Sequence, residues 1–352
     1  MNATRSSHLF FLDNLRVVLI VLVIAHHVGQ AYGPTGGAWP IMEAARAPVL
    51  GSFFTLNRSF FMSLFFMIAG YFTVMSVDKY GSKVFIKERF KRLGIPALAW
   101  MLMMIPLQVF VFSAPAWPLE AAHLWFLEHL LIFSVVYALW RLYSKPVSDS
   151  KPQADPPGYV RIVAFAFLLA IVSALVRIWF PIDRWVYLLG FIKVAFADVP
   201  RDLSFFLIGL IAYRQNWILR FPKKDGLVWL VVGVTLAVAW YVYALIGKDY
   251  LSLTDIQIGI IYPIWESLLC CGMCIGLTVL FREVFNSQGN HGSILAKSQY
   301  AAYIFHVPVV LMFQYLALGF GWPPFVKFAI VTILSVPTTF LLSNWIRKPL
   351  GL

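Results

Sequence analysis

The chain has 352 residues, 61% of them hydrophobic and only 12% charged, with a net charge of +12 at pH 7. An average soluble domain carries about 25% charged residues, so the composition excludes a soluble globular enzyme and removes the nucleic-acid reading of the positive charge. Apolar runs of the length that crosses a bilayer as helix, about 20 residues, recur along the whole chain. The fold class they predict is all-α, a polytopic integral membrane helix bundle. No stretch is long and polar enough for a separate soluble domain, so residues 1–352 read as a single transmembrane domain.

About ten transmembrane helices are expected, at 11–32, 59–76, 94–113, 123–140, 159–180, 200–217, 226–246, 258–281, 299–318 and 324–346. The first carries Asp13, Arg16 and the pair His26-His27. An ionisable group at the bilayer centre costs about 2.5–3.5 kcal/mol on insertion scales and normally faces a protein interior. Arg16 and His27 are eleven residues apart, which at 100° per residue returns to within about 20° of one face and separates them by about 16 Å of helix rise. They line one stripe without touching, and Asp13 lies on the same side. His26 points roughly 100° away from His27. The helix lacks the clean apolar core and small-residue cleavage site of a signal peptide, and is read as retained.

The second span, SFFMSLFFMIAGYF at 59–72, is followed by the basic segment FIKERFKRLGIPAL at 85–98. Arg89 and Arg92 are one turn apart at a helix end, where two forked guanidinium groups suit phosphate or carboxylate. Ordinary topology-setting charge explains the same residues. Glu128 and Glu266 are membrane-embedded acids placed to orient a histidine, neutralise an arginine such as Arg16, or sit in a packed interface. Glu128 lies between His123 and His129, but a metal site normally needs three or more converging ligands, and none is expected. The segment 185–197 is too short to span and reads as an interfacial or re-entrant piece on the outer side.

Cys270, Cys271 and Cys274 lie in an apolar span and read as small packing thiols. In the ninth span, Gln299, Tyr303 and His306 share a face by i, i+4, i+7 spacing. His27 and His306 are the two candidate bases, with interhelical hydrogen bonding as the other reading of His306. Trp39, Trp117 and Trp322 are placed either to stack on sugar rings or to anchor in the interface. Nineteen Lys and Arg fall on the side of the termini against eight on the other, Arg16 completing the 28, and this bias predicts cytoplasmic termini.

Four of these features, in order, resemble the acyltransferase-3 family of membrane proteins: Arg16-x10-His27, Phe65-Phe66-Met67-Ile68-Ala69-Gly70-Tyr71-Phe72, Arg89-Phe90-Lys91-Arg92 before Pro96, and SQYAAYIFHVPVV at 298–310. HLWFLEHLLIF at 123–133 and FFLIGLIAYR at 205–214 resemble the subgroup called glucans biosynthesis protein C. Ala69 departs from the pattern, standing where many members have Ser. The resemblance implies a single transmembrane acyltransferase domain in a bacterial inner membrane. It implies transfer of an acyl group, succinyl or acetyl among the options, from cytoplasmic acyl-CoA to a hydroxyl of an extracytoplasmic glycan or glucan. His27 would be the catalytic histidine, as general base or acyl carrier, Arg16 a supporting charge, and Arg89 and Arg92 the acyl-CoA entrance. A thioester donor is already activated, so no tightly bound cofactor is expected; the partners are acyl-CoA, a carbohydrate acceptor and membrane lipids.

A secondary transporter or flippase of lipid or glycan would share the ten spans, the proline-interrupted helices and the intramembrane charges. The ordered motifs and the lack of matching broken-helix halves favour the enzyme.

Overall fold

The computed structural model describes residues 8–34, 39–106, 121–144, 153–247 and 253–350. In chain order the elements are α1 (Phe10–Gly29), α2 (Val49–Tyr80), α3 (Ser82–Arg89), a π-helical turn (Phe90–Gly94), α4 (Ile95–Pro106), α5 (Trp125–Tyr143) and α6 (Tyr159–Trp179). A short hairpin of β1 (Val186–Leu188) and β2 (Ile192–Val194) comes next. The chain continues through α7 (Val199–Arg214), α8 (Trp217–Arg220), α9 (Lys223–Val242), α10 (Asp255–Val284), α11 (Asn290–Ala317) and α12 (Pro324–Leu350). The fold is all-α apart from that hairpin among the described residues.

Among the described residues eight helices are long and apolar enough to cross a membrane, and eight of the ten expected spans fall on them. The other two positions hold shorter helices. The expected span at 94–113 begins on α4, whose 12 residues end at Pro106, and residues 107–113 lie outside the described ones. The span at 200–217 overlaps α7, which has 16 residues and a rise of about 24 Å, less than a typical hydrocarbon core.

The chain divides into two compact units. The first comprises Met1–Arg58, Phe221–Leu245 and Gly272–Leu352. Here α1, α11 and α12 pack together. Leu12, Leu15, Leu19 and Val23, spaced three to four apart along α1, are all buried, which is the single apolar face a helix turns to its neighbours. The start of α1 is laced to the α10–α11 connection: the Asn14 amide donates to the carbonyls of Phe285 at 2.7 Å and Ser287 at 3.0 Å, and Gln288 donates back to Asn14 at 2.8 Å. Where α9 meets α10, Gly272 sits so close that a Cβ there would lie 2.8 Å from Gly233 N and Trp229 O. In lipid, helices associate by such close backbone packing at small residues.

The second unit comprises Ser59–Arg220 and Ile246–Cys271. Gly70 of α2 and Gly209 of α7 lie face to face, and a Cβ on either would overlap the carbonyl of Phe206 or Met67 respectively. That crossing explains why glycine follows Ala69 in the Phe-rich motif. The π-helical turn at Phe90–Gly94 immediately precedes Ile95-Pro96. Pro96 has no N–H and its ring crowds the preceding turn, so the helix widens just before it.

The segment 185–197, too short to span, folds as an antiparallel hairpin with Val186 opposite Val194. Leu189 (φ 54°) and Gly190 (φ 77°) occupy its turn, the pair of left-handed residues that a tight hairpin turn of matching twist requires. Glu128 and His129 on α5 clamp β2: the Lys193 N–H donates to Glu128 Oε2 at 3.1 Å, and His129 Nε2 donates to the Lys193 carbonyl at 3.1 Å. His123 instead packs edge-on against Trp100. Cys270, Cys271 and Cys274 are buried free thiols.

Candidate functional site

The site is built in the first unit, at the C-terminal end of α1 where it packs on α11. His27 lies in the last turn of α1 and is half-buried; His306 lies in the middle of α11 and is fully buried. Their rings are 4.8 Å apart between centroids and meet edge-on. His306 Nε2 is 3.2 Å from His27 Nδ1.

Backbone carbonyls decide which nitrogen carries each proton. His306 Nδ1 lies 2.7 Å from the carbonyl of Tyr303, and His27 Nδ1 lies 2.9 Å from that of Val23. A carbonyl can only accept, so both rings hold their proton on Nδ1, a tautomer assigned from its partner. His306 Nε2 then carries a lone pair, directed at the Nδ1–H of His27. In turn His27 Nε2 becomes the basic atom of its ring. If that atom takes a proton, the Nδ1–H of the imidazolium already has two acceptors, Val23 O and His306 Nε2. This is the arrangement of a base oriented by a third group.

Other residues hold this pair in register. Gln314 is fully buried and donates to the carbonyls of His27 at 3.3 Å and Val28 at 2.9 Å in the last turn of α1, where the His27 carbonyl also accepts the N–H of Gln30 at 3.3 Å. Its Oε1 accepts the indole N–H of Trp39 at 2.8 Å. His26 faces the other way, its ring 5.0 Å from that of Phe54, so the adjacent histidines have different neighbours. Pro308 sits inside α11 two residues beyond His306 and withdraws one N–H from that turn.

Arg16 is on the same helix as His27, about 16 Å away along its axis. Its guanidinium pairs with Asp13 at 3.5 Å, and His8 approaches the same carboxylate at 2.6 Å. In the second unit, Arg89 ends α3, half-buried, and donates to the Thr73 hydroxyl at 3.3 Å; Thr73 donates on to the Ala69 carbonyl at 2.8 Å. Arg92 stands in the π-helical turn and is exposed. The two arginines therefore differ in surroundings, because the wider turn begins between them.

A family model described as an acyltransferase domain matches residues 9–344. The chain belongs to that acyltransferase family. Similar relatives include the proteins named glucans biosynthesis protein C from Salmonella paratyphi B, Salmonella schwarzengrund and Salmonella enteritidis PT4. Each is 26% identical over 341 residues, covering 89% of this chain and 85% of the relative. No solved structure matches the chain. With eight membrane-length apolar helices among the described residues, this acyltransferase is a multi-pass membrane enzyme.

Sequence reasoning missed two features of this acyltransferase. One is Gln314, a polar residue in an apolar stretch, whose cost at bilayer depth was the available signal. The other is a buried ionic cluster in the second unit. Glu266 pairs with Arg201 and, at 2.6 Å, with Arg177; Ser63 bridges Arg201 (3.0 Å) and Asp202 (2.8 Å). Arg177 and Arg201 read from the sequence as outer-side charge. The partner of Glu266 is thus this pair, while Arg16 is met by Asp13 and Glu128 by the hairpin backbone.

Proposed function

We propose that this acyltransferase moves an acyl group from a cytoplasmic acyl-CoA to a hydroxyl of an extracytoplasmic glycan, with His27 as general base and His306 as its orienting partner. The enzyme sits in a bacterial inner membrane with both termini in the cytoplasm. The relatives carry the name glucans biosynthesis protein C, and that name supports a glucan-like acceptor here. The observation that supports this best is the His27–His306 contact at 3.2 Å, with each Nδ1 engaged by a backbone carbonyl.

In the step this geometry suits, His27 Nε2 takes the hydroxyl proton while the acceptor oxygen attacks the thioester carbonyl. An O–C bond forms, the C–S bond breaks, and the departing thiolate takes the proton back from Nε2, returning the ring to its starting tautomer. Arg16, toward the N-terminal end of the same stripe, is a supporting charge on the donor side. Arg89 and Arg92 receive the phosphates of the donor.

The test is transfer by purified protein in nanodiscs, supplied with acetyl-CoA or succinyl-CoA and a glucan oligosaccharide. His27→Ala should abolish acyl-glycan formation, a loss of about 10²-fold or more, while the protein accumulates normally in the membrane. Full transfer by that variant would remove His27 from the mechanism. Absence of any acyl-CoA binding by the unmutated protein would overturn acyl-CoA as the donor.

A further inference from the structure

Residues 39–48, ahead of α2, fold back over the end of α1. The Ala47 N–H donates to the Tyr32 carbonyl at 2.8 Å, the Glu43 N–H to that of Ala31 at 3.1 Å, and Arg46 to that of Gly33 at 3.1 Å. Glu43 also pairs at 2.6 Å with Lys327 of α12, a lysine almost wholly buried. These ties bring Trp39 beside the candidate base: its ring centroid is 5.5 Å from that of His27, with the planes tilted by 40°.

An indole that only anchors a protein in the interface needs no fixed orientation. Trp39 has one. Its N–H donates to Gln314, and the same Gln314 side chain donates to the carbonyl of His27 itself. The indole is therefore registered to the backbone of the base through one buried side chain. Trp39 is half-buried rather than sealed in the core. Trp322 contrasts with it, because one face is already covered by Phe320 at 4.3 Å in a stacked pair. Trp117 lies outside the described residues.

We propose that Trp39 is the acceptor-positioning residue of this enzyme and that it selects a pyranose ring. A pyranose presents a face of C–H groups and a rim of hydroxyls. An aromatic plate takes up such an apolar face and leaves the rim projecting beside it, with the His27 ring centroid 5.5 Å away. An open-chain polyol offers the same hydroxyls without a rigid apolar face, so the plate discriminates ring from chain rather than one hydroxyl from another. The inference rests on His27 being the base.

The experiment compares kcat/KM for a glucan oligosaccharide and for sorbitol, with acetyl-CoA or succinyl-CoA as donor, and separately measures CoA released without acyl transfer. Trp39→Leu should lower the ring-over-chain preference roughly tenfold, mainly through the KM for the oligosaccharide, with the donor KM unchanged. Trp39→Phe, which keeps an aromatic face and loses the N–H, should fall between. If Trp39→Leu does not accumulate in the membrane, Gln314→Asn releases the tether instead and should erode the same preference. An undiminished preference in whichever of these variants folds overturns the proposal. Transfer that survives His27→Ala would instead sink the reading beneath it, so the two failures are distinguishable.

Discussion

His306 places its Nε2 3.2 Å from Nδ1 of His27 across 279 residues of sequence, so the two candidate bases are one hydrogen-bonded pair. The tautomers required by the carbonyls of Tyr303 and Val23 make them unequal. His27 is left with its lone pair on Nε2, and His306 accepts from the far side of the same ring.

His306 is accordingly expected to act on turnover rather than on binding. His306→Phe, which keeps a planar ring without the acceptor, should lower kcat by about 10²-fold with little change in either KM. The pH profile of kcat/KM should also shift, since the imidazolium of His27 loses one of its two acceptors. His306→Gln, which retains a polar acceptor, should recover part of the rate. Unchanged kcat and pH profile in His306→Phe would leave His306 a structural tie only.

The donor role of Arg89 and Arg92 separates from topology by conservative replacement. Alanine at either position should raise the KM for acyl-CoA by roughly tenfold, as expected for losing one charge-assisted hydrogen bond. Lysine should restore it only in part, because an ammonium lacks the planar fork. Arg89 is the more informative position, since its guanidinium is already oriented by Thr73 at 3.3 Å. Wild-type kinetics in the double Lys variant would assign both residues to the charge bias alone.

The buried cluster around Glu266 should govern stability. Arg201 and Glu266 are each almost fully buried, and breaking such a pair strands a charge at a cost of about 3–5 kcal/mol. Arg201→Met or Glu266→Leu should each lower the unfolding temperature in detergent. The double replacement should recover much of the loss, because neither charge is left behind. A double variant as unstable as the sum of the singles would show that the remaining partners, Arg177 beside Glu266 at 2.6 Å and Asp198 beside Arg201 at 3.3 Å, depend on the pair.

Sidedness is measurable by labelling with a membrane-impermeant thiol reagent after replacing the three buried cysteines. Lys83→Cys, in the basic segment, should be shielded in intact cells, and Met42→Cys, in the exposed part of the α1–α2 connection, should react from outside. The reverse pattern would invert the topology and place Trp39 on the cytoplasmic side.

The sequence by itself determined the class and the inventory. Apolar runs of spanning length are a property of composition, and eight of the ten expected spans coincide with helices long and apolar enough to cross. Arg16 and His27 were legible as one stripe because helical periodicity is local and α1 is unbroken from Phe10 to Gly29. The hairpin at 186–194 was not legible, since a short apolar run does not distinguish strand from interfacial segment and the Glu128–His129 clamp that holds it is 65 and 64 residues away. Pairings were decided only by the tertiary structure. The contact of His27 with His306, the bond from Gln314 to the end of α1, and the partners of Glu266 all join residues 65 or more positions apart. Intramembrane cost says that such groups must be met by something, but which side chain meets them depends on which helix faces pack together, and no local pattern encodes that.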